Sequence, residues 1–176
     1  MSSLNKGAGK VEVHLKWDPS PVGERDSDLD IIAATYLAAA PHGEPAYLVH
    51  FGSRSPDGTI TLNRDSLNGK GLGSDEIMTF ELDRLSAEYG RVVVGAAIQQ
   101  RAGRMVFADV ANPAFRVMAG YTTLAGGTFS AVSGATAATV AEFVRDDSGA
   151  WVFHEYVRGF DATPDTFART MGGALS

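Results

Sequence analysis

Val11-Glu12-Val13-His14-Leu15-Lys16-Trp17 alternates apolar and polar residues without a break. A period of two is the repeat of an extended strand, in which successive side chains point to opposite faces. Val11, Val13, Leu15 and Trp17 thus share a face bound for a core, and Glu12, His14 and Lys16 face water. Asp18-Pro19-Ser20-Pro21 ends the strand, because proline has no N–H to give to a ladder.

Further strand signals follow in order. Residues 31–37 open with β-branched Ile31 and Ile32 and run toward Pro41, which favours a buried strand over a helix. Residues 47–51 read as a strand. Ser55-Pro56-Asp57-Gly58 is a turn, with proline presetting one dihedral and glycine accepting a positive φ. Residues 59–62 are expected to pair back on 47–51 as a hairpin. In 77–82, Met78, Phe80 and Leu82 share one face. A short helical turn falls within 83–90, and 91–98 is continuous enough for a central strand buried on both faces. Residues 107–113 look irregular. Short strands are expected at 115–118, 127–132, 139–145 and 151–157, the last two joined through Asp147-Ser148-Gly149. Strand positions assign Trp17, Tyr36, Phe51, Phe80, Trp151 and Phe153 to the core. Near the end, Thr163 can cap a helix, Pro164 suits its first position, Asp165 favours its positive pole and Gly172 can close it.

About eight to ten short strands with little helix indicate a mainly β chain, a two-sheet β-sandwich with a short C-terminal helix. The expected organisation is a single domain over 1–176, with 1–10 as a flexible lead-in.

The net charge is −6 and the isoelectric point about 5.1, which argues against a nucleic-acid or anionic-membrane surface. Absence of cysteine removes disulfides, thiolate-held zinc and a cysteine nucleophile. No run of about 18 apolar residues is available to span a membrane. The opening residues have no apolar run resembling a signal peptide, so a cytoplasmic location is expected.

The acidity is partly local. Asp65-Ser66-Leu67-Asn68-Gly69-Lys70-Gly71-Leu72-Gly73-Ser74-Asp75-Glu76 has glycine at alternate positions and carboxylates at both ends. Such glycines let a backbone bend tightly and aim several carbonyls at one point, while the carboxylates supply the hard oxygens that Ca²⁺ takes. Asp26, Asp28 and Asp30 alternate upstream, so an extended backbone would put all three on one side. The expectation is that both clusters meet around calcium, which offsets their mutual repulsion. The first cluster is no EF-hand, because Ile31 and Leu37 stand where that loop needs Gly and Glu. His14, His42, His50 and His154 are scattered, and neither H-E-x-x-H nor G-x-S-x-G occurs. His14 is expected to face solvent.

Taken together, Asp26-Ser27-Asp28-Leu29-Asp30, Ser55-Pro56-Asp57-Gly58 and the stretch from Arg64 to Glu76 resemble the TerD-type calcium-binding stress proteins, named for tellurium resistance. Ser3-Leu4-Asn5-Lys6-Gly7 and Trp17-Asp18 also look like that family's start, and the likeness runs to Gly172-Gly173. The resemblance implies a two-sheet sandwich with calcium held by loops at one end. By position it assigns Asp28, Asp65, Asp75 and Glu76 as carboxylate ligands, with Asp26 and Asp30 as further candidates, one of which can point into the fold. Asn68, Gly69 and Gly71 would offer carbonyl oxygens. Lys70 and Leu72 replace two family acids, Ser74 replaces an aspartate, and Arg64 replaces a glycine. The expectation is therefore one retained site and a second weakened or lost.

The resulting expectation is a non-enzymatic calcium-binding module of a stress response, presenting ordered loops to a protein or membrane-complex partner. The alternatives are a metal-dependent phosphoester hydrolase at the same acids and a metal-free protein-binding sandwich.

Overall fold

The structure is a computed structural model that describes residues 2–3, 9–64, 73–101 and 103–173. Its strands are β1 (Ser2–Ser3), β2 (Lys10–Asp18), β3 (Leu29–Leu37), β4 (Tyr47–Val49), β5 (Ile60–Arg64), β6 (Glu76–Glu81), β7 (Tyr89–Ile98), β8 (Ala111–Ala119), β9 (Thr122–Thr128), β10 (Ala137–Arg145) and β11 (Trp151–Phe160). One helix, α1 (Pro164–Thr170), follows. The strands form a six-stranded sheet, ordered β1-β11-β10-β7-β3-β4, and a five-stranded sheet, ordered β5-β6-β2-β8-β9. Every pairing is antiparallel. The protein is a mainly β, two-sheet sandwich with a short C-terminal helix.

The alternation at 11–17 does what its period requires. Val11, Val13, Leu15 and Trp17 are buried between the sheets with Met78, Phe80, Val92, Val94 and Phe143. Burying such side chains contributes about 1.5–3 kcal/mol each. β7 is central in its sheet and buried on both faces. Its second face packs under α1, where Ile32, Tyr36, Val93, Phe167 and Met171 form a separate cluster. Gly95 is required there, because a Cβ would come 2.5 Å from Phe167 Cζ and 2.6 Å from the Ala138 carbonyl. Thr163 caps the helix by accepting from Thr166 N at 3.3 Å. Gly172 serves close approach, since a Cβ would strike the Tyr36 hydroxyl.

Four local expectations are corrected. The turn at Ser55–Gly58 forms, with φ 73° at Gly58 and Asp57 accepting from Thr59 N at 3.1 Å. It does not close a hairpin, however: β4 pairs with β3 and β5 pairs with β6. Turn chemistry reverses the chain, but the apolar faces choose the partner, and Ile60 lies opposite Phe80. β4 also stops at Val49, so Phe51 is exposed rather than core. The strand expected at 127–132 is instead β9, because its pairing with β8 rather than its own burial sets its span. Finally, β8 begins within the supposedly irregular 107–113. Asn112 takes φ 50°, and the register with β2 shifts between Lys16 and Asp18. Proline at 113 is tolerated at such an irregularity.

Within the expected lead-in, Ser2–Ser3 pairs with β11. Among the described residues no helix is long and apolar enough to cross a membrane.

Candidate metal centre

The C-terminal ends of β2 and β7 and the N-terminal ends of β3 and β6 lie at one end of the sandwich. Leu15 is opposite Glu76 in one sheet, and Leu29 is opposite Ile98 in the other. Trp17 ties this end together. Its indole Nε1 donates to the Ser27 carbonyl at 2.9 Å, and its backbone N donates to Asp75 Oδ2 at 2.9 Å. The tail of the Gly-rich stretch and the Asp26–Asp30 cluster are thus held against one strand end.

Each acid has a distinct environment. Asp75 is fully buried, with its N–H on the Leu15 carbonyl at 2.9 Å. Its second oxygen, Oδ1, has no hydrogen-bond partner among the described residues. Glu76 is also fully buried and reaches across to the other sheet, accepting from Ile31 N at 3.1 Å. Asp28 is 5% exposed and forms an ion pair with Arg101 Nη2 at 2.7 Å, while its carbonyl accepts from Gln99 N at 2.8 Å. Asp30 is buried and accepts from Gln99 Nε2 at 2.5 Å. Asp26 is exposed. It lines a cleft of about 240 Å³ with Arg25, Asp28, Arg101 and Met105. Burial here is continuous from Ser27 to Asp30 rather than alternating, and only Asp26 of the three acids is left exposed.

Asp65, Asn68, Gly69 and Gly71 lie outside the described residues, as do Lys70 and Leu72. The residues that follow them in sequence are anchored: Lys16 Nζ donates to the Gly73 carbonyl at 2.9 Å, and His14 Nδ1 is 2.9 Å from Ser74 Oγ. His14 is therefore a loop contact rather than the solvent-facing residue expected. Among the described residues, no three His, Asp or Glu side chains make a coordination shell by themselves.

Sequence reasoning missed Gln99 and Arg101. Nothing local marks them; only the pairing of β3 with β7 brings Gln99 and Arg101 to Asp28 and Asp30. Buried carboxylates cost free energy unless neutralised or given donors. Asp75 Oδ1, which has no such donor among the described residues, is the oxygen at this end that a cation could compensate.

Comparison with known proteins agrees with this architecture. The TerD domain family model matches residues 1–170. The chain belongs to the TerD domain family. Tellurium resistance proteins TerD from Alcaligenes sp. and Serratia marcescens are each 28% identical over 123 residues, covering 66% of this chain. The match spans 63% of their own length. A crystal structure of a protein of unknown function superimposes with a TM-score of 0.94 at 60% identity, covering 97% of this chain and 100% of that one. A second crystal structure, of a homologue of telluride resistance protein TerD from Streptomyces coelicolor A3(2), gives 0.92 at 56% identity. It covers 94% of this chain and 98% of its own. This TerD domain thus shares its whole sandwich with those structures.

Proposed function

We propose that this TerD domain is a non-enzymatic calcium-binding module acting in a tellurium-related stress response. The observation that carries the reading is the fully buried Asp75 carboxylate, whose Oδ1 lacks a hydrogen-bond partner among the described residues. Buried Glu76 follows it directly, and Asp28 lies at the same end of the sandwich. A hard divalent cation takes six to eight oxygens. Asp28, Asp75 and Glu76 would hold it, and the remaining oxygens would come from Asp65, Asn68, Gly69 and Gly71, whose loop leads directly into Gly73. Asp26 and Asp30 are peripheral in this reading, Asp26 by exposure and Asp30 by its bond to Gln99. One ion is the proposed load, since Lys70, Leu72 and Ser74 remove the oxygens of a second.

Bound calcium would supply the charge that Asp75 and Glu76 face across the strand ends, and would stabilise the folded state by linkage. The ordered loops would then present a surface to a protein or membrane-complex partner in the cytoplasm. The Asp28–Arg101 pair supports a second reading, a metal-free sandwich in which guanidinium alone compensates the acids.

Calcium titration by calorimetry, with thermal melts in calcium and in chelator, tests the choice. The expected result is saturable binding and a rise in Tm of several degrees, both abolished by Glu76→Gln. No heat and a chelator-insensitive melt would leave the metal-free reading standing.

A further inference from the structure

We propose that Arg101 is a built-in counter-cation that occupies the Asp28 side of the centre and is displaced when calcium binds. This rests on the calcium reading above. The two members of the pair are unequal. Asp28 is 5% exposed, whereas Arg101 is 66% exposed at a separation of 2.7 Å. The carboxylate is fixed in place, and the guanidinium reaches it from solvent on a long side chain.

The segment carrying Arg101 is held independently of that ion pair. Gln99 N binds the Asp28 carbonyl at 2.8 Å. Gln100 Nε2 donates to the Met105 carbonyl at 2.9 Å, and Met105 N returns a bond to Gln100 Oε1 at 2.7 Å. Arg25 donates to the carbonyls of Gly103 and Arg104 at 3.3 and 3.2 Å. Arg101 can therefore leave Asp28 by a change of side-chain rotamer while these anchors stay.

A calcium ion sits about 2.3–2.6 Å from each oxygen ligand. A guanidinium held on the same carboxylate would be repelled at short range by a double charge in a poorly solvated site. Arginine cannot shed its proton to relieve this, so the side chain moves instead. Its exposure makes that movement inexpensive, because the charge returns to water. Loading the centre thus releases a cation beside Arg25 in the neighbouring cleft. Emptying it lets Arg101 close over Asp28 again. The exchange lowers calcium affinity, limits destabilisation of the ion-free protein, and couples occupancy to surface charge.

The test uses the full chain and Arg101→Gln, titrated with calcium chloride by calorimetry and melted in chelator. The side-chain Nε–H resonance of Arg101 is followed by NMR in the wild type. The expected result is calcium binding about tenfold tighter in Arg101→Gln with a lower Tm in chelator. The Arg101 resonance should move from a paired to a free position as the wild type saturates. Equal or weaker binding by Arg101→Gln, or a resonance unmoved at saturation, overturns the exchange while leaving the calcium reading intact. Absence of binding in both proteins overturns the calcium reading and the exchange with it.

Discussion

Among the described residues, charge is buried in two places and treated in opposite ways. On the helix-covered face of the six-stranded sheet, Arg91 is 3% exposed and its donors are engaged. Nε and Nη2 bind Glu142 Oε2 at 2.7 and 2.5 Å, and Nη1 donates to the carbonyls of Pro41 and Gly172 at 2.8 and 2.5 Å. The other Glu142 oxygen meets His154 Nδ1 at 3.0 Å, and the Tyr36 ring lies 5.3 Å from the guanidinium. At the acidic end, buried Asp75 keeps an oxygen without a partner among the described residues, and the cation beside Asp28 is solvent-exposed. The first network is a structural joint; at the second, the unpartnered Asp75 oxygen is what the proposed calcium would compensate.

The largest effect is expected at the joint. Arg91→Ala leaves Glu142 half-buried without its main cation and strips a donor from Pro41 and Gly172, where the chain beyond α1 meets the sheet. Breaking a buried pair from one side costs about 3–5 kcal/mol. Urea unfolding should show a loss of that order. A loss below about 1 kcal/mol would erase the distinction between the two regions.

Glu142→Gln sharpens the comparison with a smaller loss, about 1.5–3 kcal/mol for hydrogen bonds to charged groups. Burial pushes the Glu142 carboxyl up, but the His154 and Arg91 hydrogen bonds and charges outweigh it and hold the group below its ordinary value of 4.5. With the folded value depressed, its contribution is fully present above the unfolded value and is lost as pH falls through the folded one. Wild type should therefore lose stability below about pH 4.5 more steeply than Glu142→Gln. Parallel acid titrations by circular dichroism read this directly; coincident slopes would mean that Glu142 is not held by its partners.

The two regions also differ in how far the sequence reveals them. Period-two alternation at 11–17 and the apolar run at 92–98 are local patterns, and both became the strands they suggest. The acids at 26–30 and 75–76 stand out for the same reason: they cluster along the chain. What stayed hidden is non-local. β4 and β5 flank a genuine turn yet join different sheets, because Ile60 and Phe80 match across a span no turn specifies. Asp30 meets Gln99 across 69 residues, and Arg101 reaches Asp28 through the same pairing. Arg91 and Glu142 are likewise ordinary residues in sequence, 51 positions apart. Asp65, Asn68, Gly69 and Gly71 were singled out from sequence as calcium ligands and lie outside the described residues.

The smallest expected effect has the opposite sign and separates the regions most cleanly. Asp75→Asn keeps an oxygen to accept from Trp17 N, so the β2–β6 strand ends stay tied. It removes a buried negative charge whose second oxygen has no partner among the described residues. In chelator the variant should gain about 1 kcal/mol, because an uncompensated buried charge costs more than a buried amide. In calcium that gain should reverse, since the wild type alone would have its charge balanced by an ion. Melts in chelator and in calcium chloride would therefore cross in rank order for Asp75→Asn, while Glu142→Gln stays below wild type in both. If Asp75→Asn is destabilised as much in chelator as Glu142→Gln, both carboxylates serve the fold alike and the acidic end is a joint of the same kind.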